Sequence, residues 1–235
     1  MLDICQVATD HRGMTPKRRS AADAVATIRP GATLMVGGFG LVGAPLTLIE
    51  AVRTHSDAHN LTIISNNLGE PGRGLGRLLL DGRVRKAVGS YFTSNPDVVR
   101  AHQEGSLAVE LVPQGTLAES IRAGGAGIGG FYTRTGLGTP LTAGCEERVI
   151  RGTRYVLQES RRADVALIRA KTADELGNLT YAKTARNFNP DMATAADLVI
   201  AEVDEIVPVG TLDPEAIVTP HLFVDVLVLS ERVSA

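Results

Sequence analysis

From residue 20 onward the chain switches repeatedly between short, almost wholly apolar runs and segments with helical spacing, and this rhythm limits its fold more than any other feature. The apolar runs lie at 32–36, Leu61–Ile64, Val84–Val88, Leu107–Val112, 153–158, Asp164–Ile168, Leu198–Val203 and Phe223–Leu229. Most do not alternate apolar with polar, so both of their faces must be covered, which is the pattern of parallel strands between layers of helix. Helices are predicted between them. The first runs from Ser20, a capping residue, to Arg29, where Pro30-Gly31 stops it. Others are Pro45–Val52, with proline in its first turn, Leu75–Leu80, Asn95–Glu104, closed by Gly105, Thr116–Ala123 and a stretch near Asn189-Pro-Asp191. The expected fold class is therefore α/β, an open, mostly parallel sheet with helices on both faces. Residues 124–145 break the rhythm with glycine and threonine and no period, and a loop of that length is expected to be an insertion or lid. Residues 1–19 are expected to be a poorly ordered lead-in, and 20–235 a single domain.

Charged residues make up 21% of the chain and nearly cancel to a net charge of -2, leaving no broad basic face for a phosphate backbone, so no nucleic-acid partner is expected. No apolar run reaches the roughly eighteen residues needed to span a bilayer, and the start lacks a secretory signal. A soluble, cytoplasmic protein with no membrane contact is expected. Cys5 and Cys145 lack zinc or redox spacing, and His11, His55, His59, His102 and His221 show no metal-like grouping, so neither a metal nor a permanently bound cofactor is expected.

The strongest local signal is Gly37-Gly38-Phe39-Gly40-Leu41-Val42-Gly43-Ala-Pro45, a glycine loop between a strand and the helix starting near Pro45. Backbone amides at a helix start favour anions and developing negative charge, and glycine lets a ligand approach the backbone. A packed strand-to-helix turn is the plain alternative. Gly38, Gly40 and Gly43 also spell G-x-G-x-x-G, the dinucleotide fingerprint, but the acid required about 20 positions later is replaced by Ser65-Asn66-Asn67. A second polar turn, Ser65-Asn66-Asn67-Leu68-Gly69, and a third, Pro113-Gln114-Gly115, follow later strands, and such loops leave a parallel sheet along one ligand-binding edge. Gln114 could orient a carboxylate through its NH2 group or hold an oxyanion. No G-x-S-x-G elbow is present, and Glu104 before Gly105 reads as a helix end. The chain thus offers a place for a ligand without an evident nucleophile of its own.

At these segments the sequence resembles the alpha subunit of the family I CoA-transferases, which include acetate/acetoacetate, succinyl-CoA:3-oxoacid and 3-oxoadipate CoA-transferases. The matching stretches are LMVGGFGLVGAP (34–45), SNNLG (65–69), PQGTLAESIRAGGAGIGGFYTRTGLGT (113–139), RADVALIRAKTADELGNLTY (162–181) and ARNFNPDMATAADLV (185–199). Pro30 and Arg134 depart from the pattern, at the first helix stop and in the 124–145 segment. The resemblance implies a ping-pong exchange in which a glutamate attacks an acyl-CoA, passes through an acyl-glutamyl anhydride, and becomes a glutamyl-CoA thioester that a second acid, such as a 3-oxoacid, resolves. In two-chain members that glutamate belongs to a beta subunit, in a Ser-Glu-x-Gly motif absent here, which implies an α2β2 assembly. CoA or acyl-CoA would be a substrate. By the same resemblance, Gly37 to Gly43 correspond to a CoA-binding loop, serving the thioester oxyanion or a CoA phosphate, and Gln114 to a glutamine near the catalytic glutamate. Asn66 and Asn67 join the candidate binding residues through the second turn. The alternatives are a nicotinamide-dependent oxidoreductase and a non-catalytic acyl-CoA-binding module.

Overall fold

In a computed structural model, residues 17–231 are described. The helices are α1 (Ala21–Val25), α2 (Leu46–His55), α3 (Leu75–Leu80), α4 (Pro96–Gln103), α5 (Gln114–Gly125) and α6 (Asn189–Thr194). The strands are β1 (Thr33–Val36), β2 (Leu61–Ile64), β3 (Val84–Gly89), β4 (Ala108–Leu111), β5 (Gly130–Thr133) and β6 (Glu147–Ile150), followed by β7 (Thr153–Glu159), β8 (Ala163–Asp174), β9 (Leu179–Thr180), β10 (Ala196–Val207) and β11 (Val226–Leu229).

The main sheet has the order β11-β10-β8-β1-β2-β3-β4, all parallel, with β9 added antiparallel to the far end of β8. Strand side chains alternate between faces, and the two cores follow from that alternation. Leu34, Val36, Leu61 and Ile63 point to one side, where Leu48, Val52, Leu78 and Val98 of α2, α3 and α4 cover them. Met35, Ile64 and Val88 point to the other, under Leu117 and Ile121 of α5 and Met192 of α6. Burying one such leucine contributes about 1.5–3 kcal/mol. The sheet is therefore two-sided and mostly parallel, as the apolar runs require.

The chain departs from the expected elements in three places. The first helix is shorter than Ser20–Arg29, because it relaxes into turns after Val25. Of the lead-in expected over 1–19, residues 1–16 lie outside the described residues, whereas 17–19 run beside β11: Leu227 N donates to Lys17 O at 2.8 Å, and Arg19 N donates to Leu227 O at 2.9 Å. The stretch 124–145 is not one long structureless loop. It completes α5, then forms β5, which pairs with β7 in a three-stranded antiparallel sheet ordered β5-β7-β6. Four-residue strands with glycine on both sides carry too little periodicity to be recognised without their partners. Among the described residues, no helix is long and apolar enough to cross a membrane.

One cap ties local structure to packing. Asn95 is buried, accepts from Asp97 N at 3.1 Å as the N-cap of α4, and donates through Nδ2 to Leu68 O at 3.1 Å. Asn95→Ala removes the cap and strands a buried carbonyl, an expected loss of about 2 kcal/mol or roughly 4–8 °C in Tm for a chain of this size. A thermal melt unchanged by the substitution would show that water replaces both bonds.

Candidate functional site

β1 is the switch point of the main sheet, with β2 to β4 built out on one side of it and β8, β10 and β11 on the other. The crevice beyond the carboxyl ends of the strands at such a point is where ligands of open parallel sheets bind. The glycine loop leaves β1 there, and the Ser65 and Pro113 turns leave β2 and β4 on the same rim. Parallel strands are about 4.8 Å apart, so the glycine loop and Gln114 stand on one edge with roughly 14 Å of sheet between their strands. Ser65 stitches part of this rim together by donating its Oγ to Val36 O at 2.7 Å.

Within the glycine loop, Phe39 and Val42 exchange backbone bonds of 3.0 and 3.2 Å, making a tight hairpin whose tip is exposed; Phe39 and Val42 are each 54% accessible. Leu41 closes over Gly74, where a methyl group would come within 2.9 Å of its Cδ2. The other side of the loop is pressed against 185–189. A Cβ on Gly37 would lie 1.9 Å from Asn189 Oδ1, and one on Gly43 would lie 2.3 Å from Ala185 O. At these two positions glycine is required by the protein's own packing.

The start of α2 was expected to offer its amides to an anion, and the anion it holds is internal. Glu202, on β10 and fully buried, accepts from Leu48 N at 3.2 Å and from Thr47 Oγ1 at 3.1 Å. Its other partners are Ser230 Oγ at 2.9 Å and the Arg169 guanidinium, which also pairs with Asp204. A dinucleotide pyrophosphate seated at this helix start would have to displace that carboxylate. The nicotinamide alternative thus loses its anion site as well as its acidic residue.

At the other end of the rim, Asn66, Ser90 and Gln114 form one polar cluster. Asn66 is buried and donates its Nδ2 to Gln114 Oε1 at 2.8 Å and to Ser90 Oγ at 3.1 Å, while Ser90 Oγ donates to Gln114 Oε1 at 2.5 Å. Both bonds load the Gln114 oxygen. Its NH2 is left without a partner among the described residues, on a side chain that is exposed. Asn67 is turned away, its Oδ1 accepting from Gly69 N at 3.3 Å. The structure therefore brings Asn66 and Gln114 together, sets Asn67 in the turn itself, and keeps Gly37 to Gly43 along the rim from them.

Three contributors were missed from sequence. Ser90 follows β3 without any motif, and Asn187 and Asn189 grip the glycine loop from nearly 150 positions away. Beside the loop lies a cavity of about 230 Å³, bordered by Leu41, Gly43, Arg169, Lys171, Tyr181 and Asp204. Burial pushes the Tyr181 hydroxyl up to about 12, and it bonds Thr219 Oγ1 at 2.7 Å, so it stays neutral at ordinary pH. Three carboxylates about the rim are engaged: Glu70 with Arg73, Glu202 and Asp204 with Arg169.

The family model described as Coenzyme A transferase matches residues 18–230. One of the subunits of the succinyl-CoA:3-ketoacid coenzyme A transferase of Xanthomonas campestris pv. campestris is 50% identical over 221 residues, covering 93% of this chain and 91% of the relative. The alpha subunit of the acetate CoA-transferase of Escherichia coli is 45% identical over 219 residues, covering 93% and 99%. A crystal structure of an acyl-CoA transferase from Escherichia coli, in a thioester complex with CoA, superposes with a TM-score of 0.80 at 25% identity, covering 93% of this chain. This chain spans 48% of that longer one.

Proposed function

The chain belongs to the coenzyme A transferase family, as an alpha-type subunit, and on that premise we propose that it binds the acyl-CoA along the glycine-loop rim while a glutamate of a beta-type partner performs the covalent step. The observation that carries this reading is the NH2 of Gln114, which has no partner among the described residues. The Asn66 and Ser90 bonds fix its orientation, and among the described residues the rim carboxylates Glu70, Glu202 and Asp204 are each held by an arginine.

An NH2 group aimed outward from a fixed oxygen is suited to a carboxylate arriving from outside. In the proposed sequence the partner's carboxylate oxygen forms a bond to the thioester carbonyl carbon, the C–S bond breaks, and CoA leaves as thiolate. The thiolate then attacks the glutamyl carbonyl of the anhydride and releases the first acid, leaving CoA on the glutamate. A second short carboxylic acid, such as a 3-oxoacid or acetate, attacks that thioester and departs with CoA by the reverse steps. Gln114 would hold the glutamate in line for each attack. The backbone of the glycine loop would hold the CoA end, and an α2β2 arrangement would complete two such sites.

The test is reconstitution. The purified chain alone should exchange no labelled CoA between acyl-CoA and acid, and adding the beta-type partner should restore exchange. Activity of the lone chain would overturn the reading, and so would CoA binding without exchange in the complex, which is the behaviour of a binding module. In the active complex, Gln114→Ala should lower kcat by about 10- to 150-fold, the worth of a hydrogen bond to a charged group, with the complex still assembled.

A further inference from the structure

The glycine loop has few internal bonds, and its shape is imposed by two side-chain amides from the segment that leads into α6. Asn187 accepts from Gly38 N at 3.1 Å through Oδ1 and donates to Val42 O at 3.0 Å through Nδ2. One carboxamide thus bridges both legs of the Phe39–Val42 hairpin. Asn189, fully buried, donates to Gly43 O at 3.1 Å and to Ala185 O at 3.0 Å, and accepts from Arg169 N at 2.8 Å. Its Oδ1 occupies the space that a Gly37 side chain would need. The two amides also bond each other, Asn189 Nδ2 to Asn187 Oδ1 at 3.2 Å.

We infer that Asn187 and Asn189 are positioning residues of the transfer reaction, a clamp that fixes the glycine-loop backbone in the form that receives the acyl-CoA. This deepens the function proposed above and rests on it. The chemistry specifies an amide. Each side chain must donate and accept from one plane, Asn187 with Val42 O and Gly38 N of the loop, Asn189 with Gly43 O of the loop and Arg169 N of β8, so a carboxylate can satisfy only half of either set. Asn187 also holds a positive φ of 24° with ψ of -124°, a backbone conformation that favours glycine, so the amide is kept there against the local backbone preference. Orientation of bound substrate is where such a clamp acts: a displacement of about 1 Å in a positioned reactant can cost on the order of a hundredfold in rate.

Asn187→Asp keeps the acceptor for Gly38 but loses the donor to Val42, and Asn187→Gly deletes the amide while suiting the positive φ. Both are to be compared with the parent in the reconstituted complex. In a ping-pong exchange kcat/KM for the acyl-CoA reports its own half-reaction. The expected result is a fall of about tenfold or more in that quantity for both variants. Melting should stay close to the parent, and deuterium exchange should be faster in a peptide covering 34–46. Parent-like kinetics and exchange in folded variants would overturn the clamp. So would failure of both variants to fold or assemble, because the amide would then serve the fold as a whole. If the parent complex exchanges no CoA, the proposed function fails, while the exchange comparison of the loop still tests the clamp separately.

Discussion

Glu202→Ala is expected to lower the unfolding free energy by about 3–5 kcal/mol, the usual cost of breaking a buried ion pair by removing one partner. Glu202 is wholly buried, and its carboxylate accepts from Leu48 N, Thr47 Oγ1, Ser230 Oγ and Arg169. Its loss strands an amide at the first turn of α2 and leaves the guanidinium of Arg169 with Asp204 as its remaining carboxylate partner. Glu202→Gln should not rescue the site. Both oxygens of the native group accept from donors, so an amide must turn its NH2 against Leu48 N or against the Arg169, Thr47 and Ser230 donors, at a cost of about 1–3 kcal/mol. Equilibrium urea unfolding is the measurement, with exposed Glu215→Ala as the reference. A shift no larger than that reference would mean that water satisfies the α2 start and that the network is dispensable.

Which features could be read from the sequence follows from how far apart the cooperating residues are. Leu61–Ile64 and Leu75–Leu80 coincide with β2 and α3, because apolar runs, caps and stops are local signals. The placement of the Ser65 and Pro113 turns on one rim follows from parallel topology alone, and it is why Asn66 and Gln114 meet across two intervening strand gaps. The reading of the α2 start as an open anion site did not hold, because its carboxylate lies 154 residues away on β10 and nothing near Pro45 announces it. Asn187 was likewise invisible, since asparagine in a polar stretch is the ordinary composition of a turn. Only tertiary contact shows that its amide belongs to a loop 149 residues earlier.

Gly43→Ala is expected to do far more damage than Gly40→Ala, and the contrast separates two reasons for a glycine. Both residues have positive φ, +70° and +61°, so each alanine pays about 1–2 kcal/mol of backbone strain. At Gly40 the added methyl meets nothing within 4 Å. At Gly43 it would lie 2.3 Å from Ala185 O and 2.7 Å from Asn187 Nδ2, and the first of these is backbone that cannot rotate away. The hairpin and the 185–189 segment must separate, which breaks the bonds from Asn187 to Val42 and from Asn189 to Gly43 together. Gly43→Ala should therefore reduce kcat/KM for acyl-CoA by about a hundredfold or more in the reconstituted complex and lower its melting temperature, whereas Gly40→Ala should retain most of the activity. If the glycines serve only to let a ligand reach the backbone, the order reverses, since Gly40 lies at the exposed hairpin and Gly43 against protein. Equal losses would remove the claim that internal packing shapes this loop.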